Sequence, residues 1–179
     1  MKIHKRVLWI THTAIYLALL LVSQAVIRAF GQYVLGSVVN LILITSVAMA
    51  GIWSGATVAL LSPLLAFFFG FGPAFPQIIP VVMLGNLVLI LIWGITLNKT
   101  EGKKYLFFWI ATFAAAVAKF SVLWFGIVKI AVPWLGLPEA QASVISAAFS
   151  YPQLITASIG GVVASMVLPV LLRVIKKPD

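Results

Sequence analysis

Three basic side chains interrupt otherwise apolar stretches of this chain: Arg28, Lys119 and Lys129. A cation in such a place reaches out to an interface along its methylene stem, pairs with an acid, is held by neutral oxygens, or offers its charge to an anionic ligand. Arg28 and Lys129 stand near the ends of their stretches, where anchoring at an interface competes with ligand contact as a reading. Lys119 is different. It falls about 20 Å along a helix from Tyr105 at 1.5 Å per residue, too deep to reach either interface, and an unpartnered cation there costs several kcal/mol. The acids of the chain are Glu101, Glu139 and Asp179, and none lies inside an apolar stretch. The partners left for Lys119 are backbone carbonyls, hydroxyls, Gln24, Asn40, Asn86, Gln153, or a group the chain does not encode. It is expected either to line a ligand- or water-filled cavity or to pack as a hydrogen-bonded structural lysine. An anionic ligand would answer the missing charge directly.

Other chemistry finds little footing. The stretches hold no pair of carboxylates and no nucleophile beside a base. With no cysteine there is no disulfide, thiol nucleophile or thiolate metal site. His4 and His12 are eight residues apart near the N-terminus and read as interfacial rather than metal ligands. No glycine-rich loop ends in Lys-Ser or Lys-Thr, so the chain has no phosphate-binding loop with which to use ATP by itself. The expectation is a protein that is not an enzyme and carries no metal or cofactor.

The elements that must position these side chains follow from composition. Of 179 residues, 63% are hydrophobic and 8% charged. A soluble domain needs roughly a quarter charged residues to cover itself, so the outer surface here must face lipid. Helices of about 20 residues cross a bilayer, and six of them with short loops use nearly the whole chain. The fold class expected is an all-α integral membrane protein with six transmembrane helices in a single domain, residues 1–179. The spans run over about 7–30, 35–50, 56–69, 77–97, 105–132 and 141–172. Gly31 to Val34 separates spans one and two, and Gly51 to Gly55 turns into span three. The run Gly70-Phe71-Gly72-Pro73-Ala74-Phe75-Pro76 breaks before span four. Pro133 to Pro138 ends span five. The last stretch is too long for one straight crossing, and Pro152 is expected to kink it or to set off a short outer helix. The basic N-terminus followed by an apolar run reads as an uncleaved first span, since the run is longer than a secretory signal core.

Net charge is +9. In a soluble protein that would suggest nucleic acid, but most of the basic residues fall in three clusters: Lys2, Lys5 and Arg6; Lys99, Lys103 and Lys104; Arg173, Lys176 and Lys177. With six spans all three lie on one side, which the positive-inside rule makes cytoplasmic, together with both termini. The connections after spans one, three and five carry no Lys or Arg. The partner implied is the lipid bilayer, not nucleic acid. Asn98-Lys99-Thr100 matches a glycosylation acceptor but falls on the cytoplasmic side, where it would not be modified.

Aromatic residues crowd the opposite side. Phe67, Phe68, Phe69, Phe71 and Phe75 surround the third loop, and Trp124, Trp134 and Tyr151 are expected near the same face. An interfacial aromatic belt would look like this. Irregular backbone at this depth is tolerated, however, only where it is buried or borders a cavity. The functional reading is a pocket open to the outside among spans four to six, with Lys119, Arg28, Lys129, Asn86, Tyr151, Gln153, Phe75 and Trp124 as substrate-binding candidates. Small residues recur at four-residue spacing in Ala14/Ala18, Gly160/Ala164 and Gly161/Ser165, a pattern that lets helices approach closely.

Taken together, the chain resembles the substrate-binding S component of an energy-coupling factor (ECF) vitamin transporter. The resemblance covers the whole chain and rests on its size and topology and on Ala14-Ile15-Tyr16-Leu17-Ala18, which matches the family's Ala-x-x-x-Ala docking motif. It also rests on Gly51-Ile52-Trp53-Ser54-Gly55 leading into a third helix with an internal Pro63, and on the Gly/Pro-rich third loop ahead of Gly85-Asn86. It implies capture of a vitamin from outside, at a bacterial-type plasma membrane, by the outer ends of the later spans and the outer loops. The energy would come from two ATPase subunits acting through a transmembrane coupling subunit, which would contact Ala14 and Ala18. The uncompensated cations favour a carboxylate-bearing vitamin such as pantothenate or folate, whereas the aromatics and amides would also suit cobalamin. The rival reading is a non-transport scaffold or assembly subunit with a dry interior. A proton-coupled carrier or channel would be expected to place acids in the membrane, and a lipid-modifying enzyme would need catalytic residues that are not evident.

Overall fold

The structure, a computed structural model, describes residues 2–99 and 104–175, and for residues 2–5, 99, 104, 105 and 173–175 it describes the backbone alone. Glu101, Lys103, Lys176, Lys177 and Asp179 lie outside the described residues. So do the side chains of Lys2, His4, Lys5, Lys99, Lys104 and Arg173, and with them most of the three basic clusters and part of the Asn98-Lys99-Thr100 acceptor.

The described residues form helices and short connections, with no strand among them. Helix α1 spans Lys2–Ile27 and ends in a 3-10 turn, Arg28–Phe30. Helix α2 spans Gln32–Ala50, α3 Ile52–Phe68 and α4 Ile79–Lys99, the last preceded by a 3-10 turn at Pro76–Ile78. Helix α5 spans Lys104–Leu123 and continues through a π-helical segment, Trp124–Ala131, and a last turn, Val132–Leu135. Helix α6 spans Glu139–Ala148 and α7 Tyr151–Ile175. Five stretches are long and apolar enough to cross a membrane, and α3 is a shorter apolar helix of 17 residues, at the low end of what can span one. This is the make-up of a helical multi-pass membrane protein. Apolar residues surround these helices, as expected where one face meets lipid and the other meets protein.

Several boundaries differ from expectation for local reasons. The turn between α2 and α3 needs Gly51 alone, at φ +86°. No atom lies within 4 Å of where its Cβ would stand, so backbone conformation rather than space demands glycine. Ser54 and Gly55 are therefore already helical and buried. The chain passes through Pro133 and stops at Gly136, which is left-handed at φ 56°. The missing Pro133 N–H falls where the π-helical segment returns to α-helix, so it interrupts little. The long last stretch divides at Phe149 and Ser150, and Pro152 sits in the first turn of α7, where its absent N–H costs nothing. A short separate helix, α6, is thus set off, one of the two outcomes expected from Pro152.

Helix α2 is the hub: it packs on α1, α3, α4 and α7, while α5 packs on α4 and α7. Helix α1 is the least buried of the long helices and rests on α2 and α3. Small residues set the closest approaches. A Cβ on Gly160 would come within 2.8 Å of the Ser37 carbonyl oxygen of α2, and one on Gly161 within 2.7 Å of Thr112 of α5. Thr112 and Ser165 then share a hydrogen bond of 3.0 Å across the same seam. Ala14 and Ala18 face outward from α1 and touch no such seam. Two apolar clusters fill the interior, one around Leu43, Val58, Ile90, Trp93 and Phe108, the other around Ile78, Leu123 and Ile127. Lys119 lies along α5 between the parts of that helix contributed to each.

Candidate functional site

Lys119 is 3% exposed. Its ammonium donates to Oδ1 of Asn40 on α2 at 2.6 Å and to Oδ1 of Asn86 on α4 at 2.7 Å. Three helices meet at one charge. Each hydrogen bond to a charged group contributes about 1.5–3 kcal/mol, so two of them offset much of what burying a cation costs. They do not use it up: an ammonium has three N–H donors, and the third has no partner among the described residues. The Asn40 amide nitrogen turns to the Thr156 hydroxyl at 3.5 Å, which in turn donates to the Gln153 carbonyl at 3.3 Å, tying α7 into the network. No carboxylate joins it; Glu139, the acid among the described residues, is exposed at the start of α6.

These groups form the inner end of a cavity of about 290 Å³. It opens toward the end of the bundle that carries the 3-10 turns and α6. Val39, Pro63, Val82 and Leu123 give it apolar walls. Pro63 lacks an N–H, which leaves the buried Ala59 carbonyl of α3 without its intrahelical donor at this level. Phe71 and Phe149 join the lining from two separate connections. The Arg28 guanidinium lies 5.7 Å from the centre of the Phe71 ring and donates to the Gly70 carbonyl at 3.5 Å. On the other side Gln32 and Gln153 both donate to the Ala148 carbonyl, at 2.6 and 3.1 Å, and so satisfy an acceptor left over at the end of α6. Phe149 follows directly and is fixed by that clasp.

Of the side chains expected to bind substrate, Lys119, Asn86 and Gln153 line this cavity. Arg28 stands one step removed, behind Phe71. Phe75 packs instead against the cluster around Ile78, Leu123 and Ile127. Trp124, Lys129 and Tyr151 gather on a different flank: Phe120 stacks on Trp124 at 6.4 Å and on Tyr151 at 6.1 Å, and the Lys129 ammonium lies 4.8 Å over the Trp124 ring. The reason is helical phase. Five residues beyond Lys119, Trp124 is turned about 140° around α5. The cavity also draws on α1, α2 and α3, more of the bundle than the three later spans. Gln24, Gln32, Ser62, Phe71 and Phe149 join it without being among the expected site residues. A signal for some of them exists in the sequence: Gln24 and Asn40 are amides inside apolar stretches, the same anomaly that marks Lys119.

Comparison with family models, with curated proteins and with solved structures gives no match to this chain.

Proposed function

We propose that the chain is the substrate-binding subunit of an ECF-type importer, which captures a small carboxylate-bearing micronutrient from outside the cell. The observation that carries the reading is the buried Lys119 ammonium, held by two neutral amides and no acid, at the inner end of a cavity. That cavity opens at the end of the bundle opposite Lys2 and Ile175, the outer end if both termini are cytoplasmic. A carboxylate entering it would meet the spare donor of Lys119 in a low-dielectric setting, where such a bond is strong. The volume favours a ligand of the size of pantothenate; folate exceeds it, and cobalamin is several times too large for the cavity as it stands. Six crossings, with α3 as the short one, fit the topology of the S components that the sequence resembles. Ala14 and Ala18, exposed on α1, would be free to dock on a coupling subunit that supplies the energy of two ATPases.

The scaffold alternative draws on one observation, that Lys119 already has two amide partners. Purification of the protein from cells in rich medium, followed by denaturation and mass spectrometry of what is released, separates the two. A carboxylate-bearing small molecule, recovered with the native chain and lost from Lys119→Met, is expected. A folded protein that never carries such a molecule overturns the importer reading.

A further inference from the structure

Among the described residues, the buried hydroxyls, amides and ammonium of the bundle are hydrogen-bonded within the chain with two exceptions, Gln24 at 8% exposure and Ser62 at 1%. Both exceptions line the cavity. The Trp93 indole N–H is also unpartnered, but it sits in the closed apolar cluster with no space beside it to fill. Neither side chain makes a hydrogen bond among the described residues, and both line the same cavity, so their donors and acceptors are left for whatever occupies it. Gln24 offers two donors and an acceptor, and Ser62 one donor and an acceptor. They come from α1 and α3, whereas Lys119 and its amides come from α5, α2 and α4.

We infer that Gln24 and Ser62 form a second recognition pole, which reads an uncharged hydroxyl or amide that the ligand carries away from its anionic group. Water fills this pole when the cavity is empty. A ligand that bears the anion but only hydrocarbon beyond it displaces that water and leaves both side chains unsatisfied, which is the means of rejection. The inference rests on the proposed reading for the anion alone; the pole itself rests on the two unpartnered side chains.

The test is a titration of the full chain in detergent with pantothenate and with hydroxyhexanoate, each paired with an unsubstituted alkanoate of the same length. The native chain should bind at least one polar-tailed probe about ten-fold or more tighter than its apolar match. Gln24→Met and Ser62→Ala should each shrink that gap to about three-fold or less while leaving the apolar match unaffected. Ser62→Ala is the smaller change and carries the test if Gln24→Met does not fold. Equal binding of both members of each pair, a gap that survives in the variants, or no binding of any probe overturns the inference. Lys119→Met distinguishes this from failure of the anion reading: if polar-tailed probes bind it unchanged while Ser62→Ala weakens them, the pole stands and the anion reading falls.

Discussion

Asn40 on α2 and Lys119 on α5 are 79 residues apart in the chain and meet at 2.6 Å in the middle of the bundle. The contact makes two helices that belong to different halves of the sequence depend on one charge. It also makes an amide, not an acid, the partner, so no counter-charge stands beside Lys119 among the described residues.

Replacing Asn86 tests both points. Asn86→Leu removes one of two partners from a buried cation and should destabilise the protein by about 1.5–3 kcal/mol, read as a lower thermal midpoint in detergent. Asn86→Asp should recover that stability by supplying a counter-ion. The same variant should bind an anionic ligand at least about ten-fold more weakly, because the site is now neutral. Full affinity in Asn86→Asp would remove the case for an anion.

Packing between α2 and α7 is tight enough for a methyl group to matter. In Gly160→Ala the new Cβ would lie 2.8 Å from the Ser37 carbonyl oxygen and 3.0 Å from the Leu41 nitrogen, and backbone cannot swing aside. The helix must shift, and Asn40 is carried with it. A loss of about 1–3 kcal/mol in unfolding free energy is expected, together with weaker ligand binding. Unchanged values of both would show that the helices are looser than their contacts imply.

The flank that holds Lys129 and Trp124 should be silent. Lys129→Gln is expected to change ligand affinity by no more than about two-fold, as for an exposed side chain away from the site. A large loss would move that cation into the binding path.

Docking and capture should separate in Ala14→Trp. The side chain is exposed on α1, far from the cavity along the helix, so ligand binding should persist while uptake by cells that contain the coupling module stops. Normal uptake would sever the link to a coupling subunit.

Much of the fold is legible in the sequence because a bilayer leaves few options: apolar length gives a helix, and Gly or Pro clusters give its end. Lys119 is legible for the same reason, since a charge in hydrocarbon demands an explanation, and Asn40 and Asn86 stand among the few partners the sequence offers it. Which face of each helix looks inward is not. Lipid and protein interior are both apolar, so the periodicity that marks a buried face in a soluble helix is weak here. Sequence places Trp124, Lys129 and Tyr151 by level along the bundle and not by angle around it, and all three lie off the cavity. Gln24 and Ser62 share the cavity's level too, but only the packing of α1 and α3 turns them toward it.

The acid-free surroundings of Lys119 have an electrical consequence. An anion that travels from the exterior to a point about half-way through an inside-negative membrane moves against the field, at a cost near 1 kcal/mol for each 100 mV. An energised cell would then hold such a ligand several-fold less firmly than a de-energised one. The membrane voltage itself would push the ligand back toward the exterior, so inward release would have to be driven against it.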